Sequence, residues 1–116
     1  VSYGVREMMS KEWLEERLRS LEAKRENILD EISQLEPLEG CIEYKWVLNK
    51  VRKRYYYFYL RRVRENRLVS IYLGKKVPPE LLKAKADRER LKHLTQELKK
   101  IDKEIKAIMR MLARNL

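Results

Sequence analysis

The repeat in the last third of the chain constrains the fold most. Leu91, Leu94, Leu98, Ile101, Ile105, Ile108 and Leu112 follow one another in steps of three and four without a break. That spacing puts an apolar stripe along one side of an α-helix, as in helices that pair along a seam. Ala84 continues the series one heptad upstream. Pro78-Pro79-Glu80 supplies the start, since a proline in the first helical turn lacks only a donor that the turn leaves unused. The spacing predicts a helix over about 79–115, roughly 54 Å long.

A second heptad lies towards the other end, at Leu14, Leu18, Leu21, Ile28, Ile32 and Leu35, with Arg25 on the seam position that is not apolar. Ser10 is a good N-cap, and Glu12, Glu15 and Glu16 follow where the helix dipole favours acids. Pro37 disfavours helical geometry before it and Gly40 completes the break, so this helix covers about 11–35. Residues 1–9 show no clear period, and Met8 and Met9 read as an apolar lead-in. Residues 91–115 match the first helix in length and can pair with it antiparallel. Residues 80–90 are then left to pack under the segment between the helices. Met8, Met9, Trp13, Met109, Met111 and Leu116 gather at the open end of such a hairpin, which predicts a homodimer through the helices.

The segment between the helices reads as a three-stranded meander over about 42–73. Ile42, Tyr44, Trp46 and Leu48 alternate with Cys41, Glu43, Lys45 and Val47 in the first strand. Asn49–Arg54 is the first turn. The second strand is Tyr55–Arg64, opening with the strongly strand-favouring run Tyr55-Tyr56-Tyr57-Phe58-Tyr59. Glu65-Asn66 serves as a two-residue turn into a third strand, Arg67–Leu73, stopped by Gly74. This turn pairs Val63 with Leu68, Arg61 with Ser70 and Tyr59 with Tyr72 on one face. On the other it pairs Arg62 with Val69, Leu60 with Ile71 and Phe58 with Leu73. The second set is the more apolar and is expected to face the helix. Tyr55, Tyr57, Tyr59, Arg61 and Tyr72 are expected to face outwards. The expected fold class is α+β: an antiparallel two-helix coiled-coil hairpin with a three-stranded antiparallel β-meander at its closed end, between the helices, in a single domain, 1–116.

Three stretches carry a resemblance: Tyr55-Tyr56-Tyr57-Phe58-Tyr59-Leu60-Arg61, Arg64-Glu65-Asn66-Arg67, and Ile71-Tyr72-Leu73-Gly74-Lys75-Lys76-Val77-Pro78. Together they resemble a family of small archaeal and bacterial proteins, sometimes found near mobile elements. That family has an aromatic-basic β-hairpin, a Tyr-Leu-Gly-Lys strand end and a long coiled-coil helix. The resemblance spans about residues 42–115 and is sharp only within 55–78. Family members often have a Cys/Gly-rich start to the sheet, where this chain has only Cys41. The family has no settled activity, so the resemblance implies an architecture and not a mechanism.

Charge supplies the functional expectation. The chain has a formal net charge of +10, unevenly spread. Residues 1–40 hold 6 Lys/Arg against 10 Asp/Glu, whereas residues 41–76 hold 11 against 2. A basic block over an aromatic sheet favours a polyanion partner. Arg61, Arg62, Arg64 and Arg67 surround one turn, and Arg52, Lys53 and Arg54 the other; Lys45 lies on the first strand, and Lys75 and Lys76 precede the long helix. These are the candidate phosphate ligands. Tyr55, Tyr57, Tyr59 and Tyr72 are candidate stacking residues. Arginines concentrated at hairpin tips suit phosphate rails and grooves, so double-stranded DNA is expected ahead of single strands and of RNA. The alternative is a structural or adaptor coiled coil, in which the long heptad is the functional part.

Other chemistries find little support. One cysteine, Cys41, and one histidine, His93, give neither a disulfide nor metal-ligand spacing nor a nucleophile-base pair. Gly74-Lys75-Lys76 lacks the upstream glycine of a phosphate loop. No enzyme activity, cofactor, metal or small-molecule substrate is expected. No apolar run approaches the ~20 residues of a membrane span, and Val1–Ser10 has no apolar signal core. A cytoplasmic protein without a membrane partner is expected. High Lys, Arg and Glu with little Gln, Asn or Cys fits a heat-adapted source.

Overall fold

A computed structural model describes residues 10–114 of the 116-residue chain. In order they form helix α1 (Lys11–Gln34), strands β1 (Cys41–Leu48), β2 (Arg54–Arg64) and β3 (Arg67–Gly74), and helix α2 (Pro79–Arg114). The chain is thus α+β: two helices and one antiparallel sheet of order β1-β2-β3. Met8, Met9, Asn115 and Leu116, to which the sequence assigned roles, lie outside the described residues. The described chain divides into two compact units, one of residues 10–34 with 91–114, the other of residues 35–90.

The first unit is built on the two heptads. The Ser10 hydroxyl accepts a hydrogen bond from the Trp13 amide at 3.3 Å, and the Ser10 carbonyl accepts from the Leu14 amide at 3.0 Å, so Ser10 does cap α1. Leu14, Leu21 and Ile28 are the buried residues of α1, one heptad apart, and Leu94 and Ile108 those of α2. Leu14, Leu21 and Ile108 form a core against which Leu18, Ile101, Ile105 and Leu112 pack. Each fully buried leucine contributes about 1.5–3 kcal/mol. Arg25, the polar member of the first seam, donates from Nε to Asp102 at 2.9 Å. Arg17 bridges to Glu104 at 3.2 Å. These exposed pairs are worth only ~0–1 kcal/mol each. The apolar seam, not the charge pairs, therefore holds the unit together.

The second unit is the sheet with its flanking segments. Leu38 donates its amide to the Ala84 carbonyl at 3.0 Å, and the Glu36 amide donates to the Asp87 carboxylate at 3.0 Å. The Arg88 guanidinium donates to the Gly40 carbonyl. The first turns of α2 thus clamp the 35–40 linker that leads into β1. β2 is the central strand, pairing from Cys41↔Arg61 to Leu48↔Arg54 on one side and from Tyr59↔Tyr72 to Arg64↔Arg67 on the other. Leu60 is buried at 4 % exposure, with Ile42, Phe58, Val69 and Ile71 half-buried on its face. Val63, Leu68, Ser70 and Tyr72, on the opposite face, are exposed.

The β2–β3 register matches the expected one from Val63↔Leu68 to Tyr59↔Tyr72 and then departs from it. Phe58 pairs with Gly74, not with Leu73, across an irregularity between Phe58 and Tyr59. Leu73 is the extra residue, as in a β-bulge, and Gly74 follows at φ 93°, a conformation that costs glycine little. The turn at Glu65-Asn66 has φ of 52° and 61°, both positive as a type I′ turn requires. A non-glycine residue there costs about 1–2 kcal/mol.

Two expectations follow for stability. Gly40 has φ 94°, and a Cβ added there would run into the Arg61 carbonyl and come within 2.8 Å of the Arg62 Cβ. Gly40→Ala should lower the thermal midpoint far more than Gly74→Ala, where only φ resists and about 1 kcal/mol is at stake. Replacing Glu65-Asn66 by Asn-Gly should raise stability by about 1 kcal/mol, read as a shift of the chemical-denaturation midpoint with unchanged slope.

Candidate nucleic-acid interface

The site is built on β2 and its two turns. Asn49 shapes the first turn: its side-chain oxygen accepts from the Val51 amide at 3.0 Å and the Lys53 amide at 2.9 Å. Its side-chain amide donates to the Tyr55 hydroxyl at 3.3 Å. Arg52 takes φ 59° in this turn. The turn therefore displays Arg52, Lys53 and Arg54, all exposed, at the start of β2. Arg64 and Arg67, also exposed, are paired across the second turn at its other end. Lys75 and Lys76 are exposed between β3 and α2.

One face of the sheet carries a row of tyrosines. Tyr55 and Tyr57 rings lie 6.5 Å apart, Tyr57 and Tyr72 5.5 Å, and Tyr59 and Tyr72 5.6 Å. Tyr72 is 60 % exposed, whereas Tyr57 and Tyr59 are half-buried within the row. Next to them Glu43 accepts from Lys45 at 3.0 Å and from Arg61 at 3.0 Å. The Lys45 ammonium also lies 6.0 Å from the Tyr59 ring. The structure thus gives Lys45 and Arg61 an acidic neighbour, while the cations of the turns lie at the ends of the strand. Arg64 reaches Glu39 only at 3.6 Å. Arg62 is half-buried on the other face, and the Nε atoms of both Arg61 and Arg62 are enclosed without a protein partner.

That other face departs from expectation. Tyr44, Trp46 and Tyr56, which the β1–β2 register puts on the same face as Leu60, are 61 %, 49 % and 43 % exposed. Tyr44 stacks on Phe58 and Tyr56 with centroids 4.7 and 5.1 Å away, and the Arg54 guanidinium lies 4.8 Å from the Trp46 ring. Lengths explain the exposure. β2 has 11 residues and runs roughly 36 Å. The stretch of α2 within this unit, residues 79–90, runs only roughly 18 Å. A helix half the length of the strand leaves part of that face open. Both lengths are legible in the sequence.

Cys41 and His93 are exposed and lie in different units. Among the described residues no three of His, Cys, Asp and Glu come together as metal ligands would, and no helix is long and apolar enough to cross a membrane. No protein-family model, curated protein or solved structure matches the chain.

The Glu43 carboxyl is held below the ordinary carboxylate range, first by the hydrogen bond from Lys45 and then by Arg61, with desolvation opposing both. The unfolded chain therefore binds this proton more readily than the folded one. The stabilisation is complete above the ordinary carboxylate range and is lost as pH falls through the lowered pKa. Glu43→Gln should be less stable than the parent at neutral pH, and the two should converge as pH falls through the lowered Glu43 pKa. Thermal melts across pH test this; a constant gap at every pH contradicts it.

Proposed function

We propose that this chain is a non-enzymatic nucleic-acid-binding protein whose sheet holds double-stranded DNA. One observation carries the reading: residues 44–64 contain eight Lys/Arg and no Asp or Glu, and this stretch forms most of two strands and the turn between them. Phosphates neutralised by such cations release counterions, and binding follows. The basic clusters at the two ends of β2 stand roughly 36 Å apart along the strand. That is close to one turn of B-DNA, about 34–36 Å, which favours a duplex spanned by both turns. The half-buried tyrosine row supports the turns and adds ring surface beside them.

The two helices are read as an antiparallel coiled-coil hairpin. The early residues Lys11, Glu15 and Leu18 share a groove with Met109 and Leu112, and the later Lys24 and Ile28 share one with Glu97 and Ile101, which supports opposite directions. A homodimer through these helices is part of the proposal. Trp13, Leu29, Met109 and Met111 are exposed apolar residues of this unit, as an unfilled seam would leave them. The same residues favour the second reading, an adaptor coiled coil whose partner is a protein. Binding by an adaptor should survive neutralising the turns.

The test is fluorescence anisotropy with a labelled duplex across a salt series. Log affinity should fall linearly with log salt. Replacing Arg52, Lys53 and Arg54 by Gln should weaken binding and reduce the slope by up to about 3, roughly one for each phosphate no longer neutralised. No binding at low salt, or an unchanged slope in the variant, contradicts the proposal.

A further inference from the structure

Resting on the nucleic-acid reading above, we infer that the Tyr44, Trp46 and Tyr56 strip is a stacking platform for the unpaired bases of a single-stranded segment. A duplex held at its phosphates buries its base faces in its own stack and leaves these rings unused. An unpaired base exposes its face and gains by placing it on an aromatic ring. The strip has the parts such a base needs. Trp46 and Tyr56 are cross-strand partners at the turn end of the sheet, and both are close to half exposed. Arg54 lies over one face of the Trp46 ring, so a positive charge stands directly beside the strip. Lys50, Arg52 and Lys53 continue the positive charge around the turn, and all are exposed.

Charge decides among occupants. The acid-free composition of residues 44–64 sets two copies of this surface against each other, so a second chain is a poor cover for the strip. The occupant must be anionic and offer flat apolar faces, and a single-stranded nucleic acid does both. Tyr44 stacks with both Phe58 and Tyr56, so its ring is engaged within the row and bases meet the row at its Tyr56–Trp46 end, where the tyrosine hydroxyls suit bases better than acyl chains.

Trp46 makes the test direct, because the chain has two tryptophans and Trp13→Phe leaves Trp46 as the reporter. An oligothymidylate of about 15 nucleotides, within the usual site size, should quench Trp46 fluorescence on binding, and a blunt duplex should quench it much less. Tyr44→Ala with Trp46→Ala should weaken oligothymidylate binding by about 10- to 100-fold and leave duplex binding within about twofold. Trp46→Phe should retain most of the affinity, and circular dichroism melts should show the folded state of each variant. Duplex binding with no quenching by the single strand, or equal losses for both ligands in folded variants, overturns the stacking platform and leaves the duplex reading standing. Absence of binding to either nucleic acid removes both. A blue shift of Trp46 with anionic vesicles and none with oligothymidylate assigns the strip to a lipid surface, and likewise overturns the inference.

Discussion

The sheet is longer than the helix available to cover it, and its surface chemistry follows from that mismatch. In the 35–90 unit only Leu60 is buried, midway along the central strand. Ile42, Phe58 and Ile71 around it are half-buried, and beyond them both faces open to solvent. A strand rich in tyrosine tolerates this, because a tyrosine ring packs against its neighbours while its hydroxyl remains wet. The rings pack on each other in place of a second layer, in two separate rows, stacked on one face and tilted or edge-on around Tyr72 on the other.

The same layout sorts the charges. In the middle of the tyrosine face Glu43 draws in both Lys45 and Arg61. The positive potential is thereby concentrated at the turns. Asn49 holds one turn open with its side-chain oxygen, and the I′ geometry of Glu65-Asn66 holds the other tight. Neither turn has the glycine that its positive φ would prefer. One turn presents Arg52-Lys53-Arg54, and the other is framed by Arg64 and Arg67. The result is a sheet with basic ends and aromatic faces.

Much of this was legible in the sequence, for identifiable reasons. Both heptads are long enough for periodicity to outweigh noise, and Ser10, Pro37 and Pro79 mark helix limits by local chemistry alone. A two-residue turn fixes its flanking register, so Glu65-Asn66 predicted the pairs from Val63 to Tyr59. The register failed at Phe58 because a bulge inserts a residue that no alternation rule anticipates, and Gly74 read as a strand stop, not as the partner it becomes. The Glu43 bridge was not visible. It depends on the β1–β2 register, which a longer loop at Asn49–Lys53 sets through side-chain bonds. The exposure of Trp46, Tyr44 and Tyr56 was not legible, because alternation assigns a face but not how far along that face the cover extends.

The most direct test of the central claim is amide chemical-shift mapping of the isotope-labelled protein as duplex DNA is added. Shifts should concentrate at Arg52–Tyr56 and at Arg64–Arg67, with Lys11–Gln34 largely unmoved. Shifts confined to the helical heptads, or none at low salt, would contradict it and make the helices the working surface.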